Sequence, residues 1–457
     1  MDERDVVVIG GGPAGFMAAQ RASLLGGNVM LVEKEKLGGI CVNWGCMPMC
    51  FMTHCAGVLR LIKEVKKDGI NIGEVRVDYT RMMSEKEKVI KGIVTGMEAR
   101  LKATNVPVVI GSAKLTSPNE VEIESGKEPK KLIRSKKIII ATGSVARRYE
   151  IPGAYSAGVL TAKELLDLNE VPRSLAIIGR GVTALELATV WLNLGSAVTV
   201  IARKPQFLPG EDEEIAAYLG QVLKADGVQI HAGVNIERID DSAGGKSVTI
   251  SAGGTRQKVT AQYVVFALGQ RPLVDGLGLE NAGIAVTEGG IKINKSMETG
   301  VRGIYAAGDA TGEMMLANVA MVQGTLAAEN AMGRNLTMDY RVVPRFVRTL
   351  PPMAAVGITE GEAKESGRDI KVSKFPFEQN PKTGIIREGG GFVKMIADPA
   401  SGEILGVHIV GPQATELIHE AVMVMQMRGT ARGIAVAMHN HPCLHETVQR
   451  AAQSLCG

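Results

Sequence analysis

Two Trp, seven Tyr and eight Phe are all the aromatic residues of a 457-residue chain. So few rings leave little surface for stacking bases, and a net charge of +4 is too small for a protein that tracks phosphates. Nucleic-acid binding is therefore not expected. Cysteine is scarce too, and six residues cannot frame a disulfide scaffold in a chain this long. The N-terminus, Met1-Asp2-Glu3-Arg4, runs straight into a strand-like segment, with neither a basic stretch nor a cleavage site of a secretory signal. No apolar run reaches the ~18 residues that a membrane helix needs. A cytoplasmic protein with no membrane or nucleic-acid partner is expected.

Glycine is in surplus: 55 residues, where average usage gives about 32. The surplus has no three-residue period, so it is not collagenous. Hydrophobic residues make up 45%, enough for full-sized cores, and the length suggests roughly three domains.

The segment Arg4-Asp5-Val6-Val7-Val8-Ile9 reads as a buried strand, followed by a Gly-rich turn, an Ala-rich helix and a second strand from Asn28 to Glu33. This β-turn-α-β order implies a parallel sheet. The Lys/Glu-rich stretch from Arg60 to Lys102 reads as long exposed helices, and Lys136 to Gly143 as a buried strand. Near Ser174 the pattern restarts: strand Leu175 to Ile178, helix Val182 to Leu194, strand Ala197 to Ile201. From about Val342 the texture becomes α+β, with short strands at Thr349 to Val356, Gly391 to Ile396 and Ile404 to Val410. Gly244-Gly245 and Gly389-Gly390-Gly391 read as hairpin turns.

The first unit carries Gly10-x-Gly12-x-x-Gly15, with Glu33 ending its second strand. Gly10 permits the tight turn, Gly12 lets a pyrophosphate approach the backbone, and Gly15 lets helix and strand pack closely. The helix N-terminus offers free N–H groups to the phosphates, and the acid can hold a ribose diol. The second unit has Gly179-x-Gly181-x-x-Ala184 but no acid. Its strand runs into Arg203-Lys204, which suits a 2′-phosphate or is simply a solvated loop.

Cys41 and Cys46 follow the Gly38-Gly39 pair with four residues between them, and Gly45 allows a bend there. Pro48 fits the first turn of a helix, which places Cys46 at a helix N-terminus where the dipole favours a thiolate. A redox pair is the favoured reading. A metal site drawing on Cys50, His54 and Cys55, and inert core thiols, are the alternatives.

The segment Gly39-Ile40-Cys41-Val42-Asn43-Trp44-Gly45-Cys46 resembles the redox stretch of the pyridine nucleotide–disulfide oxidoreductases, and the resemblance runs through the whole chain. It continues in Ala141-Thr142-Gly143, the second Gly motif, Thr299…Ile304-Tyr305-Ala306-x-Gly308-Asp309, and His439-x-His441-Pro442-Cys443-Leu444-His445-Glu446. The resemblance implies an α/β fold with two Rossmann-like dinucleotide-binding domains, for FAD and for NAD or NADP, and a C-terminal α+β dimerisation domain. The implied boundaries are 1–150 and 272–340 for the FAD-binding parts, 151–271 for NAD(P) and 341–457 for dimerisation. Gly10, Gly12, Gly15, Glu33, Gly39, Thr142, Gly143 and Asp309 are implied at the flavin nucleotide. Met315, Leu316 and Ala317 are implied beside the flavin. Gly179, Gly181, Glu186, Arg203 and Gly269 complete the cofactor-binding set.

By the same resemblance, Cys46 faces the flavin and Cys41 exchanges with a dithiol or disulfide substrate, which can be a lipoyl group on a carrier protein. His441 is the implied acid/base, oriented by Glu446 and supplied by the partner of a homodimer. The likeness is strongest to the dihydrolipoamide dehydrogenase type. An NADPH-dependent reductase of another disulfide or of a thiophilic metal ion is the alternative, and a flavoprotein oxidase or electron carrier that does not use the disulfide is a third reading. No resident metal is expected. The chain departs from the family where a Lys normally follows the second cysteine by four residues. Cys50 stands there, and Glu186, which corresponds to that Lys's partner, is expected to be protonated or differently paired. Cys443 replaces a Thr. Met47, Met49 and Met52 add sulfur around the pair and are expected chiefly to fill core gaps.

Overall fold

The computed structural model describes residues 2–126 and 128–456. The first sheet has a parallel core in the order Val108–Ile110, Val29–Glu33, Asp2–Ile9, Lys131–Ile140 and Ile304–Ala306. An antiparallel hairpin, Ser112–Ser117 and Glu120–Glu124, extends it. Val6, Val7 and Val8 are fully buried in the central strand. A parallel strand covered on both faces reads as a continuous apolar run, as these residues do. Ile304–Ala306 joins this sheet from far along the chain, so the segment after residue 300 completes the first nucleotide unit.

The second sheet is parallel throughout, in the order Gln229–Ala232, Ala197–Ala202, Ser174–Ile178, Tyr263–Phe266 and Val159–Thr161. The third is antiparallel, in the order Arg345–Val347, Met353–Gly357, Ile404–Val410, Phe392–Ala397 and Lys371–Pro376, and the helices Ala414–Gln426, Ala431–Val436 and His445–Gln453 complete its unit.

Three local expectations are corrected. The strand expected from Thr349 begins only at Met353, because Pro351 and Pro352 lack the N–H a ladder needs. Gly389-Gly390-Gly391 is not a hairpin turn. It leads into the strand Phe392–Ala397, and a Cβ on Gly391 (φ +102°) would lie 1.9 Å from the Val410 carbonyl oxygen. The charged stretch from residue 60 is not wholly exposed: Lys86 is 2% exposed, and its ammonium donates to the Leu166 carbonyl at 2.7 Å. A fourth departure concerns apolar length. Gly39–Asp68 contains an 18-residue window of mean hydropathy 1.3, to which Val58, Leu59, Leu61 and Ile62 contribute along with Cys, Met, Phe and Ala. It passes the length and composition test for a span, yet its Met49, Met52 and Ala56 sit in the same core as Leu185, Ala188 and Trp191 of the helix Val182–Asn193.

A buried ionic cluster joins the second and third units. Lys394 reaches Asp212 at 2.9 Å, Glu214 at 2.9 Å and Glu360 at 2.6 Å. The Lys394 and Asp212 side chains are 3% and 2% exposed. Hydrogen bonds from Lys364 and Lys394 hold the Glu360 carboxyl down to about 2. A folded-state pKa below the ordinary 4.5 means that this contact stabilises the fold above that value and loses its contribution as pH falls toward 2. Lys394→Met removes the one cation shared by three carboxylates. It is expected to cost about 3–5 kcal/mol and to lower the thermal unfolding midpoint, measured by calorimetry at neutral pH.

Candidate active site

Gly10 begins the turn after the strand Asp2–Ile9. A Cβ on Gly10 (φ +104°) would lie 2.3 Å from the Ala141 carbonyl oxygen, and one on Gly15 would lie 1.8 Å from that of Gly10. These two glycines are demanded by the protein's own packing. At Gly12 the nearest atom to an added Cβ is 4.0 Å away, so that backbone faces open space. The same division holds in the second unit. A Cβ on Gly179 would lie 2.2 Å from the Ala267 carbonyl oxygen, whereas Gly181 has nothing within 4 Å. Gly12 and Gly181 are the N-caps of their helices, and neither helix has a side-chain cap. Each therefore leaves first-turn N–H groups and the positive end of the helix dipole for a pyrophosphate.

Glu33 is buried and accepts hydrogen bonds from the Gly11 N–H at 2.6 Å and the Glu35 N–H at 2.7 Å. This fixes a carboxylate beside the first Gly loop, where a ribose diol would meet it. Thr142 donates to the Leu273 carbonyl at 2.7 Å, and Gly143 turns the chain at φ +76°. Asp309 follows the strand Ile304–Ala306. Burial pushes its carboxyl above the ordinary value, opposed by a hydrogen bond from the Ser144 hydroxyl at 2.6 Å. Met315 and Leu316 are half-buried and precede the helix Ala317–Ala331, which has no side-chain cap at Leu316. Gln323 is wholly buried on that helix and accepts from the Gly308 N–H at 2.7 Å. Ser144 and Gln323 were not picked out by motif. Ser144 directly follows Ala141-Thr142-Gly143, which is the signal that could have flagged it. This donor set fits FAD: the first unit's Gly-loop backbone, the buried Glu33, the half-buried Asp309, and uncapped helix starts.

In the second unit Arg203 leaves the end of the strand Ala197–Ala202, and its guanidinium stacks 3.6 Å over the Tyr149 ring centroid. It is exposed there and carries no carboxylate counterpart at the strand end. Gly269 (φ +80°) accepts from the Arg147 N–H at 3.0 Å, beside the crossing between the two nucleotide units.

Cys41 lies in the short helix Gly39–Asn43 and Cys46 opens the helix Cys46–Glu64. The Cys41 and Cys46 thiols perturb one another through a side-chain hydrogen bond. That bond holds Cys46 below the ordinary thiol value, aided by the charge of Arg348 and opposed by burial and Glu186. The same bond, with burial, pushes Cys41 up. One thiolate and one thiol is the reduced form a dithiol pair takes when one sulfur must stay nucleophilic. Cys50 is exposed, whereas Met49 and Met52 are 4% and 1% exposed in the core, where methionine fills gaps. Among the described residues no three His, Cys, Asp or Glu side chains gather as a metal site.

Glu186 keeps a partner despite Cys50. Its Oε1 accepts from the Arg348 backbone N–H at 2.8 Å, and the Arg348 guanidinium lies 3.8 Å away. Burial raises its carboxyl. Glu186 is thus differently paired, with a residue that no motif singled out. His441 Nδ1 lies 3.0 Å from Glu446 Oε1, and the other Glu446 oxygen accepts from the Cys443 N–H at 2.9 Å. The His441 hydrogen bond holds Glu446 below its ordinary value. The His441 side chain is 73% exposed, so the ring is oriented at one nitrogen and open on its other side. Within one chain, Arg348 and Glu186 act on Cys46, while His441 is paired with Glu446.

Residues 4–324 match the family model described as pyridine nucleotide-disulphide oxidoreductase, and residues 343–452 match that family's dimerisation domain. The dihydrolipoyl dehydrogenase of Bacillus subtilis is 38% identical over 456 residues, covering 99% of this chain and 98% of that protein. The mitochondrial dihydrolipoyl dehydrogenase of Pisum sativum is 35% identical, covering 99% and 91%. Among solved structures, the HOCl-induced flavoprotein disulfide reductase of Escherichia coli, in its Cu(II) complex, superposes with TM-score 0.89 at 28% identity, covering 99% of this chain and 100% of that one. LpdA from Mycobacterium tuberculosis gives 0.91 at 25% identity, with both chains covered completely. The chain therefore belongs to the pyridine nucleotide-disulphide oxidoreductase family, as a disulfide oxidoreductase that uses FAD and NAD(P).

Proposed function

We propose that this enzyme oxidises a dihydrolipoyl group, carried on a protein or free, and works as a homodimer in the cytoplasm. The observation that carries the reading is the conjunction of Cys41 and Cys46, set on adjoining helices with Cys46 at a helix start, with the exposed, carboxylate-oriented His441. Full-length likeness to dihydrolipoyl dehydrogenases supports it. We assign 1–150 and 272–340 to FAD, 151–271 to NAD(P) and 341–457 to dimerisation. The dimerisation-domain match supports the homodimer. The open His441 ring supports a role across the subunit interface, at the partner's thiols. Core packing of Met49 and Met52 supports a soluble rather than membrane-spanning role for Gly39–Asp68.

In the reaction the substrate gives one thiol proton to His441, and its sulfur attacks Cys41 of the disulfide. The Cys41–Cys46 bond breaks, a mixed disulfide forms on Cys41, and Cys46 leaves as thiolate. The second substrate thiol then attacks the substrate sulfur of the mixed disulfide, the bond to Cys41 breaks, and Cys41 leaves carrying that thiol's proton. Substrate departs as a disulfide, and the electron pair stays on the two cysteines. Glu446 fixes the His441 tautomer and stabilises the imidazolium. Gly12 and Gly181 would hold pyrophosphates, and Glu33 and Asp309 would hold the flavin nucleotide's hydroxyls. FAD, when bound, would supply a two-electron acceptor between the thiols and a nicotinamide cofactor.

Steady-state turnover of dihydrolipoamide with NAD and with NADP tests this reading, and turnover with at least one of them is expected. The exposed Arg203 and the absent ribose acid favour a second reading, an NADPH-dependent reductase. Turnover confined to NADPH with glutathione disulfide or mercuric ion would establish that reading instead.

A further inference from the structure

We propose that Arg348 is the positioning residue of the thiol site, its guanidinium supplying positive charge to Glu186 at the junction where the helix of Cys46 packs on the helix of Glu186. This rests on the redox reading of the Cys41–Cys46 pair. Three units meet here. Cys46 opens the helix of the first, Glu186 lies on the nucleotide helix Val182–Asn193 of the second, and Arg348 follows the strand Arg345–Val347 of the third. The Glu186 side chain is 8% exposed, and a carboxylate so buried needs a partner. Its Oε1 takes the Arg348 backbone N–H at 2.8 Å and faces the guanidinium at 3.8 Å.

The loop that carries Arg348 is fixed at several points. Thr349 donates to the Pro351 carbonyl at 2.6 Å. Arg60, on the same helix as Cys46, donates to the Leu350 carbonyl at 2.8 Å. The Arg348 guanidinium itself rests 4.4 Å over the Phe346 ring centroid. Cys50, one helical turn beyond Cys46, brings no charge to this face.

The helix that Cys46 opens and the strand that precedes Arg348 both pack on the helix of Glu186, and Cys41, Arg348 and Glu186 are the titratable groups that act on Cys46 most strongly. Glu186 opposes a thiolate there, and Arg348 favours one. A cation held at Glu186 offsets the acid and leaves Cys46 able to ionise. Remove it, and the thiolate and carboxylate repel each other across a buried gap.

The test follows thiolate formation in the two-electron-reduced holoenzyme, read both from long-wavelength thiolate–flavin absorbance and from the pH dependence of iodoacetamide alkylation at Cys46, located by mass spectrometry. Arg348→Met is expected to raise the midpoint by about one pH unit or more, and so to slow alkylation about tenfold near pH 7. Arg348→Lys is expected to keep most of the wild-type behaviour. Glu186→Gln removes the opposing acid, keeps the shape and is expected to lower the midpoint. Arg348→Met/Cys50→Lys is expected to recover part of the shift, because the cation returns to the same helix face. An unchanged midpoint in Arg348→Met, or a raised one in Glu186→Gln, overturns the role of Arg348. A wild-type protein without the absorbance band but with alkylatable thiols overturns the redox reading instead, and the alkylation midpoints still decide the role of Arg348.

Discussion

Cys41→Ser is expected to abolish dithiol oxidation, lowering its rate by at least ~10³-fold, while the purified protein shows a long-wavelength thiolate–flavin band without added reductant. The loss follows because Cys41 is the sulfur that carries the mixed disulfide, and serine cannot exchange. The band follows because Cys46 then has no partner to oxidise to. Its thiolate, favoured by the helix N-terminus and by Arg348, stays beside the flavin. Cys46→Ser is expected to lose turnover equally but to show no band. Stopped-flow absorbance and steady-state rates on the two variants check both halves. A band in Cys46→Ser but not in Cys41→Ser reverses the roles of the two thiols.

His441→Gln is expected to lower dithiol turnover by about 10²–10⁴-fold, the range that a positioned acid/base contributes. Reduction of the enzyme by NADH or NADPH should stay close to wild type, since that half-reaction needs no substrate proton. Glu446→Gln keeps the hydrogen bond to His441 Nδ1 but removes the charge, so a smaller loss and a shifted pH profile are expected. If His441→Gln slows both half-reactions alike, the residue acts through structure rather than through the substrate proton. Mixing inactive Cys41→Ser with inactive His441→Gln, with subunit exchange, should restore some activity if each site is built from two chains.

The parts of the site that could be read in the sequence are those where backbone geometry leaves one residue type. Gly10 and Gly15 are needed because any side chain would collide with a carbonyl about 2 Å away, and such positions recur at fixed spacing. The Cys41/Cys46 spacing, and His441 five residues before Glu446, are likewise local patterns that survive without knowledge of the fold. Arg348 left no such trace. It meets Glu186 across 162 residues and two units, through a backbone N–H that any residue has. Lys394 and Lys86 are of the same kind. Each looks like a surface charge in the sequence, and each is buried because distant acids or a carbonyl converge on it. The Gly-rich run before Phe392 misled for the opposite reason. Its local signal is that of a turn, whereas Gly391 is there to let a strand pass the Val410 carbonyl.

The most direct test of the central claim, that electrons pass through Cys41 and Cys46, is anaerobic titration of the wild-type holoenzyme with dihydrolipoamide. Growth of the long-wavelength thiolate–flavin band to a maximum at two electrons per FAD, with both thiols then open to alkylation, is the result expected. Full bleaching of the flavin at two electrons, with no band and no new thiols, would contradict it.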